Sequence, residues 1–193
     1  MKFLGFIVAC VAFVANAQSQ EIEFLPSSNQ EVLHILADKD VQPVKFQPLD
    51  SINDHKIYDK IRGHYEAELK EAEENKSAFL LTVASVKLNT NSTTDRYYIV
   101  GLQSTFHCGN YGCACEILRF SNKHIMVLPS SGLWCETNNE ETNVYLLNSF
   151  TNGLHDIAFQ NTTSGLMQTL SWNGAAYIDS GFSKLLSGGR KDD

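Results

Sequence analysis

From residue 78 onward the chain is a succession of short runs rich in β-branched and aromatic residues, at 78–88, 95–106, 113–120, 123–128, 142–150, 154–160 and 166–177. Turn-forming clusters at 89–94, Ser121-Asn122, Asn152-Gly153 and Asn173-Gly174 separate them. Connections this short select an antiparallel meander, because parallel neighbours need crossovers of roughly a dozen residues or more. Upstream, Ser28-Asn29-Gln30-Glu31 has the form of a capping box, and Val32, Leu33, Ile35 and Leu36 follow as an apolar stripe, which predicts a short helix. Pro43 and Pro48 bracket an extended stretch at Val44-Lys45-Phe46. A longer helix is predicted over residues 54–75, where Ile57, Ile61, Tyr65, Leu69 and Ala72 recur every three to four positions. The expected fold is therefore α+β: an antiparallel meander sheet of about six to seven strands with two N-terminal helices packed on it.

The chain opens with Met1-Lys2, an apolar run over residues 3–14, and the small residues Ala15 and Ala17 around Asn16. This is the pattern of a cleaved secretory signal, so residues 1–17 are assigned to it and Gln18 to the mature N-terminus. The run is too short to span a bilayer, which takes roughly 20 apolar residues. A lipid anchor at Cys10 is disfavoured: the apolar run ahead of Ile7-Val8-Ala9-Cys10 is only about half a signal core, and apolar residues continue beyond it. No later segment is long and apolar enough to cross a membrane as a helix. Residues 18–186 are expected to form one domain, followed by a polar, glycine-rich disordered tail at 187–193.

The 193 residues carry 15 basic and 22 acidic side chains, a formal charge of −7. Removing residues 1–17 takes away one lysine, for about −8. This balance argues against nucleic acid and anionic membrane surfaces as partners, since both call for clustered Lys and Arg. The acidic group Glu71, Glu73, Glu74 reads as a solvated helix face.

Cys108, Cys113, Cys115 and Cys135 remain after processing, and an even count in an exported chain reads first as two disulfides. Pairing Cys113 with Cys115 would close a strained ring. If Gly109-Asn110-Tyr111-Gly112 is the loop of a hairpin, Cys108 and Cys113 lie opposite each other, which leaves Cys115 for Cys135. A shifted register would instead pair Cys108 with Cys115. Zinc held by His107 and these cysteines is the rival reading, but the C-x4-C-x-C spacing lacks C-x2-C knuckles.

Catalytic signatures are missing. Cys108 or Cys135 with His107, His124 or His155 and Asp156 supplies the residue types of a thiol triad without its local motif, and a bridged cysteine is no nucleophile. G-x-S-x-G, H-E-x-x-H, Walker A, G-x-G-x-x-G and C-x-x-C are absent. No catalytic residue, metal or cofactor is assigned. Trp134, Trp172, Tyr177 and Tyr111 are the aromatics open to a binding role, with core packing around an Asn-Gly type I′ hairpin the stronger reading for Trp172 and Tyr177. Asn75, Asn91 and Asn161 head N-x-S/T triplets, which matter only in a eukaryotic host.

Tyr98-Ile99-Val100-Gly101-Leu102, Cys108-Gly109-Asn110-Tyr111-Gly112-Cys113, Asn152-Gly153-Leu154-His155-Asp156 and Trp172-Asn173-Gly174-Ala175-Ala176-Tyr177 together resemble a loose group of small exported bacterial proteins. Their shared marks are a C-G-x-x-G-C hairpin, an N-G-x-x-D strand and a final W-x-G-x-x-Y hairpin. The resemblance implies a periplasmic β domain with Cys108 bonded to Cys113, and it brings no activity with it. The expected function is a non-catalytic periplasmic or secreted binding protein that engages an envelope component or another protein, an inhibitor among the options. The alternative is an envelope hydrolase with a Cys/His or carboxylate site.

Overall fold

The computed structural model describes residues 34–92, 94–109, 112–121, 124–136, 142–160 and 166–186, all within one compact unit, Glu31–Asp193. The signal segment, Cys10, the capping box at 28–31, Tyr111, Asn161 and the tail at 187–193 lie outside the described residues. Three short strands come first, β1 (His34–Ala37), β2 (Val41–Pro43) and β3 (Gln47–Pro48), and two helices follow, α1 (His55–His64) and α2 (Glu66–Glu74). Then come β4 (Phe79–Val86), β5 (Arg96–Ser104), β6 (Cys108–Gly109), β7 (Gly112–Ser121), β8 (His124–Leu128), β9 (Trp134–Cys135), β10 (Val144–Thr151), β11 (Leu154–Gln160), β12 (Met167–Trp172) and β13 (Tyr177–Leu186).

The architecture is α+β, with the helices packed on a mostly antiparallel β structure. The strands divide between two sheets rather than one. The first runs β1-β13-β12-β11-β10-β2, and the second β3-β4-β5-β7-β6 with β8 and β9 also paired to β7. The reason is visible in β4, β5 and β7, which are apolar on both faces. Val83, Val100 and Leu118 pack toward the helices with Ile57, Ile61 and Tyr65. Their neighbours Ala84, Ile99 and Ile117 turn the other way, against Leu146, Ile157 and Leu170 of the first sheet. A strand buried on both faces reads as a continuous apolar run, so the second sheet is the middle of three layers. Backbone bonds also join the sheets: Tyr177 N–H donates to Pro129 O (2.7 Å), Ser131 N–H to Tyr177 O (2.9 Å) and His155 N–H to Leu88 O (2.9 Å).

The stripe expected to start a helix instead enters β1, whose residues pair parallel with Ser183–Leu186. For residues 34–37, backbone pairing in the sheet outweighs the helical spacing of the stripe. The segment 54–75 is helical as predicted, and the Asp54 carboxylate caps it by accepting from Ile57 N–H (3.3 Å). It breaks at Tyr65 (φ −104°, ψ 22°), giving α1 and α2. Asn152-Gly153 forms the two-residue turn between β10 and β11, both residues at positive φ (50° and 85°) as a type I′ turn requires. Asn173-Gly174 does not: Trp172 pairs with Tyr177 across a four-residue loop. There the Asn173 Oδ1 accepts from Ala175 N–H (2.9 Å) and Ala176 N–H (2.8 Å), so the side chain closes the turn. Among the described residues no helix is long and apolar enough to cross a membrane.

Candidate functional site

The cysteines set the local frame. Cys108 is bonded to Cys113 and Cys115 to Cys135. Two disulfides fit an oxidising compartment. The register places Cys108 opposite Cys113, and Gly112 turns the hairpin at φ +107°. A Cβ on Gly112 would stand 2.8 Å from the Cys135 carbonyl oxygen, so only glycine lets β9 come this close.

Cys115 packs into the core between the sheets and Cys113 shares its face by alternation, which leaves Ala114 between them on the helix-side face of β7. Ala114 lies opposite Trp134, and the pairing of Gly101 with Cys115 brings Leu102 to its other side. At this end of the second sheet the lining residues come from strands and loops rather than from α1 or α2. What remains is a concavity of about 380 Å³ lined by Leu102, His107, Ala114, Glu116, Val127 and Trp134 among others. Its floor is small because Ala114 is small, and two bridges hold the strand beneath it.

Glu116 supplies the charge. Tyr65, exposed where α1 and α2 meet only to the extent of 3%, donates its hydroxyl to Glu116 Oε2 (2.8 Å). The helix break therefore has a consequence: it seats Tyr65 so that its phenol fixes a carboxylate on the sheet. His64 Nε2 stands 3.9 Å from the same oxygen. Burial, and next the negative charge of Glu116, push the Tyr65 phenol far above its ordinary value of 10.0. Tyr177 is raised as well, by burial first and the charge of Asp156 second. A raised tyrosine pKa stabilises the fold fully below about pH 10, and that contribution is lost as pH rises from there, because the unfolded chain releases a proton the native state retains. Denaturation between pH 9 and 11.5 should show stability falling above pH 10. Each retained proton contributes a slope of about 1.4 kcal/mol per pH unit. Tyr65→Phe should make the fall shallower, and an unchanged slope would contradict the assignment.

Next to the concavity, the turn after β5 presents Phe106 with 82% of its surface exposed. Ser104 Oγ accepts from the N–H groups of Phe106 (3.2 Å) and His107 (3.3 Å) and is hydrogen-bonded to His107 Nδ1 (2.8 Å). These contacts lock the turn, and the Cys108–Cys113 bridge closes it from the other end. A second, smaller hollow of about 200 Å³ lies between α2 and this turn, lined by Glu68, Glu71, Phe79, Ser104, Phe106 and His107 with others.

The sequence candidates are therefore distributed unevenly. Trp134 is half-buried; it lines the concavity and also packs against the core cluster between the sheets. Tyr177 is wholly buried between the sheets, its hydroxyl donating to His155 O (3.0 Å), and Trp172 packs against it at 5.3 Å between ring centroids. These two belong to the core. Among the thiol-triad candidates, Cys108 and Cys135 are bridged, His107 is bonded through Nδ1 to Ser104 Oγ (2.8 Å), His124 is exposed at the start of β8, and His155 packs on Phe150 (3.8 Å between ring centroids) with its Nδ1 at Leu147 O (2.6 Å). Asp156 is buried and accepts from Ser149 Oγ (2.6 Å). Among the described residues no group of His, Cys, Asp and Glu is arranged to hold a metal ion. Asn75 and Asn91 are exposed, as a glycan acceptor needs. Neither Glu116 nor Phe106 is a site candidate on sequence alone, and Tyr65 enters there only as one of the recurring positions of the 54–75 helix. A lone acid inside an apolar strand, Cys115-Glu116-Ile117, was the available signal for the first. No family model matches the chain, and neither a curated protein nor a solved structure does.

Proposed function

We propose that this is an exported, non-catalytic binding protein, acting in a periplasm or secreted from the cell, that engages another protein or an envelope component through the end of the second sheet. The observation that carries the reading is Phe106, a large apolar side chain held out in solvent by a turn locked at Ser104 and at the Cys108–Cys113 bridge. A rigid, exposed aromatic loses little conformational freedom when it is buried by a partner, which is what an interface anchor needs. Leu80, 62% exposed near the same end of the sheet, extends the apolar surface. The signal-like N-terminus and the two disulfides agree with export. The cysteine form of the hydrolase alternative loses its nucleophile, since all four described cysteines are bridged.

The test compares wild type with Phe106→Ala in capture from an envelope extract, alongside a hydrolase screen of the wild type. Truncating an anchor costs about 2 kcal/mol or more of binding, roughly a 30-fold loss of recovered partner. The exposed position should leave stability within about 0.5 kcal/mol. Equal recovery by both proteins, or turnover in the screen, would defeat the reading.

A further inference from the structure

We propose that the concavity beside Trp134 receives a lysine side chain of the partner protein, with Glu116 as the counter-charge; this rests on the binding reading above and names what one of its sites recognises. Among the described residues Glu116 is the one carboxylate that lines the concavity, and its side chain is 37% exposed. No lysine or arginine pairs with it among the described residues. Tyr65 occupies Oε2, and Oε1 has no hydrogen bond among the described residues. A single free oxygen suits a compact ammonium group. It does not suit a guanidinium, whose fork needs both oxygens for a bidentate pair.

The rest of the lining fits the same guest. In the register Trp134 faces Ala114, two positions from Glu116, so its Cβ stands diagonal to that of Glu116; the indole, which also packs against the core between the sheets, shares the lining of the concavity with the carboxylate. At that spacing an ammonium can meet the carboxylate while its methylene stem lies along the indole, adding a cation–π component. Leu102, Ala114 and Val127 give the stem apolar walls, in the manner of a long cation that buries its stem and keeps its charge at the polar end. Glu68 and Glu71, lining the neighbouring hollow across His107, add to the negative potential that draws a cation in. The strand that carries the floor is pinned by both disulfides, so the site is formed before the guest arrives.

The test is calorimetric titration of the intact protein with a capped peptide bearing one central lysine. Companion titrations use the same peptide with norleucine or arginine at that position, and free cadaverine. Saturable binding of the lysine peptide is expected, weakened at least tenfold by Glu116→Gln, several-fold by arginine, and abolished by Ala114→Leu, which fills the floor. Melting curves of both variants establish that they are folded, and Glu116→Gln keeps an acceptor for the Tyr65 hydroxyl. Equal binding of the norleucine peptide, or indifference to Glu116→Gln in a folded variant, overturns the proposal; cadaverine binding as tightly as the peptide overturns the commitment to a protein lysine. The binding reading is decided separately, by the Phe106→Ala capture: peptide binding with no captured partner sinks that reading and leaves the lysine site standing. Capture that survives Glu116→Gln at full strength does the reverse.

Discussion

Replacing Cys115 and Cys135 together with alanine should lower the unfolding free energy by about 3 kcal/mol, while the same change at Cys108 and Cys113 should cost about 2 kcal/mol. The difference comes from the loops: the first bridge spans 20 positions of sequence and the second only 5. A longer closed loop removes more freedom from the unfolded chain, although the dependence is only logarithmic. Packing acts in the same direction. Cys135 is wholly buried in the core between the sheets, whereas Cys108 is half-buried at the hairpin. Urea denaturation of the two double variants measures the ranking directly. A larger loss from the Cys108–Cys113 variant would show that the hairpin, rather than the link from β7 to β9, is the principal constraint on the unfolded state. The double variant lacking Cys115 and Cys135 should also loosen the floor of the Ala114 concavity, because β9 carries Trp134 next to Cys135.

Ile117→Ala should destabilise by about 2 to 5 kcal/mol, the range for removing a buried branched side chain whose surroundings cannot collapse into the space. Ile117 has no exposed surface and lies among residues from both sheets, Ile99 and Leu128 on one side and Ile157 and Leu170 on the other. Sheets tied together by backbone bonds at Pro129, Ser131 and Leu88 have little freedom to close over a void. The control is Met126→Ala, on the same face of the adjoining strand but 55% exposed, which should change stability by no more than about 0.5 kcal/mol. Similar midpoints for the two variants would argue that the layers are not packed against each other as described.

Most of the strands could be read from alternation and turn residues, and their limits differ from the sequence reading by only a few positions. The run 78–88 became β4 (Phe79–Val86), and 154–160 is β11 without change. Where the elements differ, the physical reasons are separate. β1 to β3 are two to four residues long, and too short for any period to show. β13 continues through Asp179, Ser180 and Gly181, residue types that read as a turn, and it is a strand because β12 on one side and β1 on the other pair with it. The break at Tyr65 was invisible because helical spacing runs through it: Ile61, Tyr65 and Leu69 keep the four-residue repeat on both sides.

Local sequence favours the cysteine pairing found in the structure, because Cys108 and Cys113 flank a loop of four residues, but it leaves the shifted register open until the strand pairing excludes it. It also determined the helical span that begins at the Asp54 cap, the Asn152-Gly153 turn and the antiparallel class, all of which are properties of neighbouring residues. The tertiary structure alone decided that the strands part into two sheets and that one of these is covered on both faces, since a continuous apolar run is compatible with either a single sheet or a middle layer. It alone assembled the candidate site. Tyr65 and Glu116 are 51 positions apart, and their hydrogen bond exists only because a helix break and a sheet register bring a phenol and a carboxylate together, a coincidence in space that no local pattern encodes.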